Sequence, residues 1–147
     1  MLRFSLGIGL LLAALGLRAE VIDIDNAELA RLVAAKVPVI DIRTAPEWAE
    51  SGVVPGSQLL TFFDERGRAD PAAWLAKARP IADPSQPVIL ICRSGNRTQA
   101  VSRFLSDKAG YTKVYNVKSG IRTWIGEKRP LESGAKALAT CQAAKTC

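Results

Sequence analysis

The sequence predicts an α/β domain with a central, mainly parallel β-sheet flanked by helices, and three observations predict it. Short β-branched runs alternate with amphipathic helical segments along the chain. The strongest run, Val88-Ile89-Leu90-Ile91, is apolar at every position, as in a strand buried on both faces. Two strand-like runs lead into chemically capable side chains, Asp41 and Cys92, and parallel sheets build their sites at strand carboxyl ends. With 147 residues the chain holds one domain with a core and is too short for two comfortable ones.

Val21-Ile22-Asp23-Ile24 alternates and predicts a short strand. Asp25 is placed to cap a helix from Asn26 to about Ala35, with Glu28 in capping-box position three residues on. Leu29, Leu32 and Val33 give that helix one apolar face. Val37 to Asp41 follows as a strand; Pro38 lies near its start, where a missing N–H is tolerated. Ala45 to Glu50 reads as a helical turn, Gly52 to Gly56 as a connection, and Gln58-Leu59-Leu60 as a brief strand. Pro71 opens a helix at its favoured first-turn position, with Trp74 and Leu75 as core candidates. Asp83 to Pro87 is a turn that delivers the chain into Val88–Ile91. Thr98 to Lys108 is a helix with Val101, Phe104 and Leu105 on one face, closed by Gly110. Val114 to Val117 is a strand, and Ile121 to Ile125 a short helical segment containing Trp124. Beyond Pro130 the chain is rich in Ala and Lys, predicting a peripheral helix or a loose tail.

The chemistry gathers at Cys92-Arg93-Ser94-Gly95-Asn96-Arg97-Thr98. A strand that ends at a cysteine, a glycine turn and a helix start can aim several backbone N–H groups at one sulfur. Gly95 permits the tight turn. Arg93 and Arg97 add fixed positive charge, and the helix adds roughly half a charge at its N-terminus. Cysteines in such settings have pKa values of about 3.5–7.5, so Cys92 is expected to be a nucleophile at neutral pH. A buried core cysteine is the competing reading, and it leaves the polar run after Cys92 unexplained.

The sequence has no histidine, which removes Ser-His-Asp and Cys-His catalysis and His-based metal sites. No cofactor motif or metal cluster is expected. The formal charge of +6 is scattered, and aromatic residues are not interleaved with basic ones. Nucleic acid is therefore not an expected partner; a small anionic substrate suits the charge equally well.

Residues 1–19 are expected to be a signal peptide: Arg3, an uncharged apolar stretch from Phe4 to Leu17, and small residues for cleavage at Ala14-Leu15-Gly16 or Leu17-Arg18-Ala19. The stretch is shorter than the ~20 residues that span a bilayer, so a retained anchor is the lesser alternative. Export places the mature chain, from near Glu20, in the periplasm or outside the cell, without a stable membrane anchor. Of the three cysteines, Cys141 and Cys147 lie in a tail at 133–147 and Cys92 stands alone. A tail disulfide with one free thiol is the simplest arithmetic. In the alternative, Cys141 or Cys147 resolves an oxidised Cys92.

The cysteine loop closely resembles the active-site loop of single-domain rhodaneses, the thiosulfate-type sulfurtransferases. Asp41-Ile42-Arg43-Thr44-Ala45-Pro46-Glu47-Trp48 resembles that family's Asp-x-Arg…Glu-aromatic segment, and Gly52 to Gly56 its Gly-x-x-x-Gly continuation. Asn116-Val117-Lys118-Ser119-Gly120, with Trp124 and Pro130, resembles its closing segment. The resemblance covers about residues 21–132 and implies a three-layer rhodanese-like domain over 20–132. Val53 departs from a common histidine, and Ser119 from a usual second glycine.

The resemblance implies that Cys92 takes the outer sulfur of a small anionic donor such as thiosulfate as a persulfide. A thiol or cyanide acceptor then removes it, and no cofactor is involved. The loop residues Arg93, Ser94, Gly95, Asn96, Arg97 and Thr98 would hold donor and persulfide. Arg93 and Arg97 are candidates for orienting the donor, and Arg97 for bracing the loop instead. Asp41 either accepts hydrogen bonds from the loop or is a solvated strand-end carboxylate. Arg43 and Glu47 are spaced to pair with each other on a helical turn. A redox partner protein is a further candidate partner. Two rivals stay open: a persulfide carrier or anion-binding module without turnover, and a Cys-dependent phosphatase or arsenate reductase-like enzyme. Phosphatase loops of that kind place one more residue between Cys and Arg than the four here, Arg93 to Asn96. The shorter loop favours a sulfur over a tetrahedral oxyanion.

Overall fold

Five β-strands pair in the order β1-β5-β4-β2-β3, all parallel. The computed structural model describes residues 19–147, so the signal-peptide expectation lies outside the described residues except for Ala19. The elements run β1 (Glu20–Ile24), α1 (Asn26–Ala34), β2 (Val39–Asp41), α2 (Ala45–Ser51), β3 (Gln58–Leu59), α3 (Pro71–Ala78), β4 (Val88–Ile91), α4 (Asn96–Lys108), β5 (Lys113–Val117), α5 (Gly120–Gly126) and α6 (Gly134–Ala144).

Strand β4 lies at the centre of the sheet, and its alternation divides the core. Val88 and Leu90 pack with Val101 and Leu105 of α4 and Trp74 and Ala78 of α3 on one face. Ile89 and Ile91 pack with Leu29 and Leu32 of α1 and Ile121 and Trp124 of α5 on the other. The result is the three-layer α/β arrangement the sequence predicts. A third cluster closes the β3 edge, where Trp48 and Leu59 meet Ala137 and Cys141 of α6. The segment after Pro130 is therefore a packed helix rather than a loose tail. It is anchored by paired main-chain hydrogen bonds between Val53 and Glu132. Val53, one of the departures from the family pattern, is fully buried in that cluster.

Helix ends follow local chemistry. The Asp25 side chain accepts the Glu28 N–H at 2.9 Å. The reciprocal half of the box is missing, because Glu28 turns outward to Arg31. Asp70 caps α3 by accepting the Ala73 N–H at 3.0 Å, with Pro71 in the first turn.

Candidate functional site

The sheet register brings Asp41 of β2 level with Ile91 of β4, so the residues after both strands share one edge. Cys92 follows Ile91 directly and is fully buried. The chain then turns through Gly95, which is the N-cap of α4 at φ +92°. A side chain is excluded there twice over: by the left-handed backbone, and because a Cβ would overlap the Lys118 carbonyl. Gly120, also at positive φ, leaves no room for a Cβ against the Arg93 carbonyl. Ser119 has φ −104°, an ordinary conformation that does not require the glycine usual at this position of the resemblance.

Cys92 Sγ accepts the Gly95 N–H at 3.2 Å. Asn96 N–H and those that follow open α4, so the sulfur faces the positive end of a 13-residue helix. Thr98 Oγ1 lies 3.5 Å from Sγ and 3.1 Å from the Gly95 carbonyl. Its single proton can serve the carbonyl beside a thiol or turn to the sulfur of a thiolate.

Arg97 does not point freely at the loop. Its two terminal nitrogens donate to Glu47 at 2.8 and 2.6 Å, joining α4 to α2 across 50 residues. That pair raises Arg97 further above its usual range against the opposing effect of burial, with Cys92 adding a smaller contribution. Burial alone would raise the Glu47 carboxyl. The Arg97 and Thr44 hydrogen bonds overcome it and hold the group at about 2. Of the two roles the sequence allows for Arg97, the geometry matches bracing.

Two expectations need correction. Asp41 neither accepts bonds from the cysteine loop nor faces solvent. It is fully buried and takes the Arg43 guanidinium at 2.7 to 3.1 Å, plus the Arg43 N–H at 3.1 Å. Arg43 does not pair with the Glu47 carboxylate. Its remaining N–H groups reach the Glu47 carbonyl, Ser51 Oγ and the Gly52 carbonyl, closing off the C-terminal end of α2. Asp41 excludes the Glu47 side chain from this role because it already neutralises the buried cation. Asp41 and Arg43 thus support α2, and α2 carries Glu47 to Arg97.

Arg93 and Asn96 are exposed, and Ser94 is half-buried. A cavity of about 290 Å³ adjoins the loop, with Arg93, Arg122, Glu50, Ile121 and Ile125 in its wall. Cys92 itself does not line it. The cavity ends at Arg93 and at Ile121, whose N–H donates to the Cys92 carbonyl at 2.8 Å. A larger groove of about 660 Å³ lies between α2, α3 and α6, and none of residues 92–98 borders it. Sequence reasoning missed Arg122, Glu50 and the Glu47–Arg97 pair. For Glu47 a signal was available: Thr44-x-x-Glu47 is a capping-box pattern, and Glu47 accepts the Thr44 N–H at 3.0 Å. Cys141 and Cys147 are joined by a disulfide, with Cys92 free.

Comparison with known proteins agrees with this geometry. The model of the rhodanese-like domain matches residues 25–127. The putative sulfurtransferase YtwF of Bacillus subtilis (strain 168) is 29% identical over 113 residues, covering 76% of this chain and 97% of that protein. Thiosulfate sulfurtransferase 18 of Arabidopsis thaliana is 24% identical over 119 residues, covering 78% of this chain and 85% of that one. A crystal structure of a rhodanese-related protein from Thermoplasma volcanium is similar with a TM-score of 0.58 at 27% identity, over 76% of this chain and 97% of that chain. Rv0390 from M. tuberculosis shares the fold with a TM-score of 0.65 at 22% identity, over 78% and 98%. Because the matched segment runs from the cap of α1 to the end of α5 and takes in the whole cysteine loop, the chain belongs to the rhodanese-like domain family.

Proposed function

We propose that this protein is a sulfurtransferase that moves a sulfane sulfur from thiosulfate or a similar anionic donor to a thiophilic acceptor. The observation that carries the reading is Cys92 Sγ, held by the Gly95 N–H at 3.2 Å at the N-terminus of α4. Names of relatives, including a thiosulfate sulfurtransferase, support the same chemistry.

In the first step the Cys92 thiolate attacks the outer sulfur of thiosulfate. A Cys92–sulfur bond forms, the sulfur–sulfur bond of the donor breaks, and sulfite leaves with its electron pair. The anionic outer sulfur of the persulfide then takes the place of a developing oxyanion among the loop N–H groups. In the second step cyanide or a thiolate attacks that outer sulfur, and the Cys92 thiolate departs. Arg93 is an exposed cation in the wall of the adjoining cavity, while Arg97 holds the loop through Glu47. Because Cys92 is fully buried, donor access requires side chains at the cavity floor to give way.

A phosphatase reading fits less well. The guanidinium that would bind a phosphate, Arg97, has both terminal nitrogens on Glu47. The leader at residues 1–19 supports export, and we place the working enzyme in the periplasm or outside the cell; fractionation of the expressed full chain tests this. For activity, thiosulfate and cyanide should give sustained thiocyanate formation that Cys92→Ser abolishes. Release limited to one equivalent would identify a carrier instead. Cys92-dependent hydrolysis of p-nitrophenyl phosphate without thiosulfate turnover would identify a phosphatase.

A further inference from the structure

Arg122 belongs to none of the sequence motifs, yet the fold seats it beside the cysteine loop. The first turn of α5 is bonded to that loop through the main chain. The Ile121 N–H donates to the Cys92 carbonyl at 2.8 Å, and the Arg122 N–H to the Arg93 carbonyl at 3.2 Å. The Arg93 and Arg122 side chains therefore leave from adjacent, fixed points, and both line the cavity that adjoins the cysteine loop.

The charges in that cavity are unequal in their commitments. Arg43 is neutralised by Asp41, and Glu47 by Arg97. Among the described residues, Arg93, Arg122 and Glu50 have no ion-pair partner. Arg93 and Arg122 are both exposed. Two uncommitted guanidiniums face one uncommitted carboxylate, so the entrance is net positive. Each guanidinium can offer paired N–H groups to an oxyanion. Ile121 and Ile125 supply apolar wall, and the remaining polar lining is already engaged, with Ser51 Oγ accepting from Arg43 and donating to the Glu47 carbonyl.

We propose that Arg122 and Arg93 together form an anion subsite at the entrance to Cys92, which holds the oxygen end of a small dianion, with Arg122 as a substrate-positioning residue. The identity of that dianion as a sulfur donor rests on the proposed function; its recognition does not.

Sulfate, a dianion with no sulfane sulfur, is the probe. In the full chain with its tail disulfide intact, iodoacetamide alkylates Cys92: the thiolate displaces iodide and leaves a thioether. Sulfate should slow this reaction. In Arg122→Gln the half-protecting sulfate concentration should rise about fivefold, roughly what loss of one nearby charge produces at a solvated site. The rate without sulfate should stay within about twofold of the parent, because iodoacetamide is neutral. Arg122→Lys should keep most of the protection, and the difference should shrink at high salt. Thiosulfate KM should rise in Arg122→Gln with little change in kcat. Equal sulfate protection in parent and Arg122→Gln overturns the subsite, as does absence of protection in the parent. A parallel fall in the sulfate-free alkylation rate also overturns it, since Arg122 would then be shaping the loop. Absence of thiocyanate formation in the parent overturns the proposed function alone, because sulfate protection reads the subsite without sulfur transfer.

Discussion

Glu47→Gln removes the charge that ties α2 to the cysteine loop. Glu47 accepts two hydrogen bonds from Arg97, at 2.6 and 2.8 Å, and one from the Thr44 N–H at 3.0 Å. Against the effect of burial, these contacts lower the carboxyl from 4.5 to about 2. At about 1.36 kcal/mol per pH unit, that drop sets a ceiling of about 3.4 kcal/mol. The paired side chains keep 29% and 24% of their exposure, so solvent screening reduces the figure to about 1–2 kcal/mol. The folded carboxyl is more acidic than the unfolded one. The stabilisation is therefore complete above about pH 4.5 and is lost as pH falls through about 2. Urea titrations of the parent, Glu47→Gln, Arg97→Gln and the double variant, repeated from pH 7 to pH 2, measure it. Glu47→Gln should cost about 1–2 kcal/mol at pH 7, with the difference shrinking toward zero at pH 2. The two single variants should couple by a similar amount at neutral pH. A cost that is constant across the pH range, or costs that add without coupling, would show that the Glu47–Arg97 pair does not stabilise the fold.

Further outcomes follow from the same geometry. Asp41→Asn leaves the buried Arg43 guanidinium without its counter-charge, and urea denaturation should show a loss of about 3–5 kcal/mol. Gly95→Ala forces a Cβ onto the Lys118 carbonyl and a side chain into positive φ; alkylation of Cys92 should lose the rate of the parent loop even where circular dichroism shows the fold retained. Non-reducing peptide mapping should recover a Cys141–Cys147 linked peptide with Cys92 free. Replacing both tail cysteines by serine should cost about 2 kcal/mol in the chain-entropy account, read from the same denaturation curves.

The parts of the fold that local pattern controls were legible in the sequence. Val88–Ile91 is apolar at all four positions because the strand is covered on both faces, and its two sets of side chains enter two separate cores. The cysteine loop announces itself because Gly95 is needed where the backbone is left-handed. The pairings that cross the chain were hidden. Arg97 and Glu47 lie 50 residues apart, and only the packing of α2 beside α4 brings them together. Asp41 was readable as a carboxylate at a strand end. Its burial depends on Arg43 folding back over it while also holding the end of α2, which no spacing rule predicts. The tail helix α6 has a weak apolar stripe of Ala and Cys, so its docking on Trp48 became visible only with the β3 edge assembled.

The proposed sulfur transfer stands or falls on Cys92 as the carrier of the transferred atom. Mass spectrometry of the intact chain and its Cys92 peptide, before and after thiosulfate, reads that step without a coupled assay. The Cys92 peptide should gain about 32 Da, for one covalently bound sulfur, and the gain should be removed by cyanide and absent in Cys92→Ser. No gain, or a gain carried by Cys141 or Cys147, would mean that Cys92 is not the sulfur carrier.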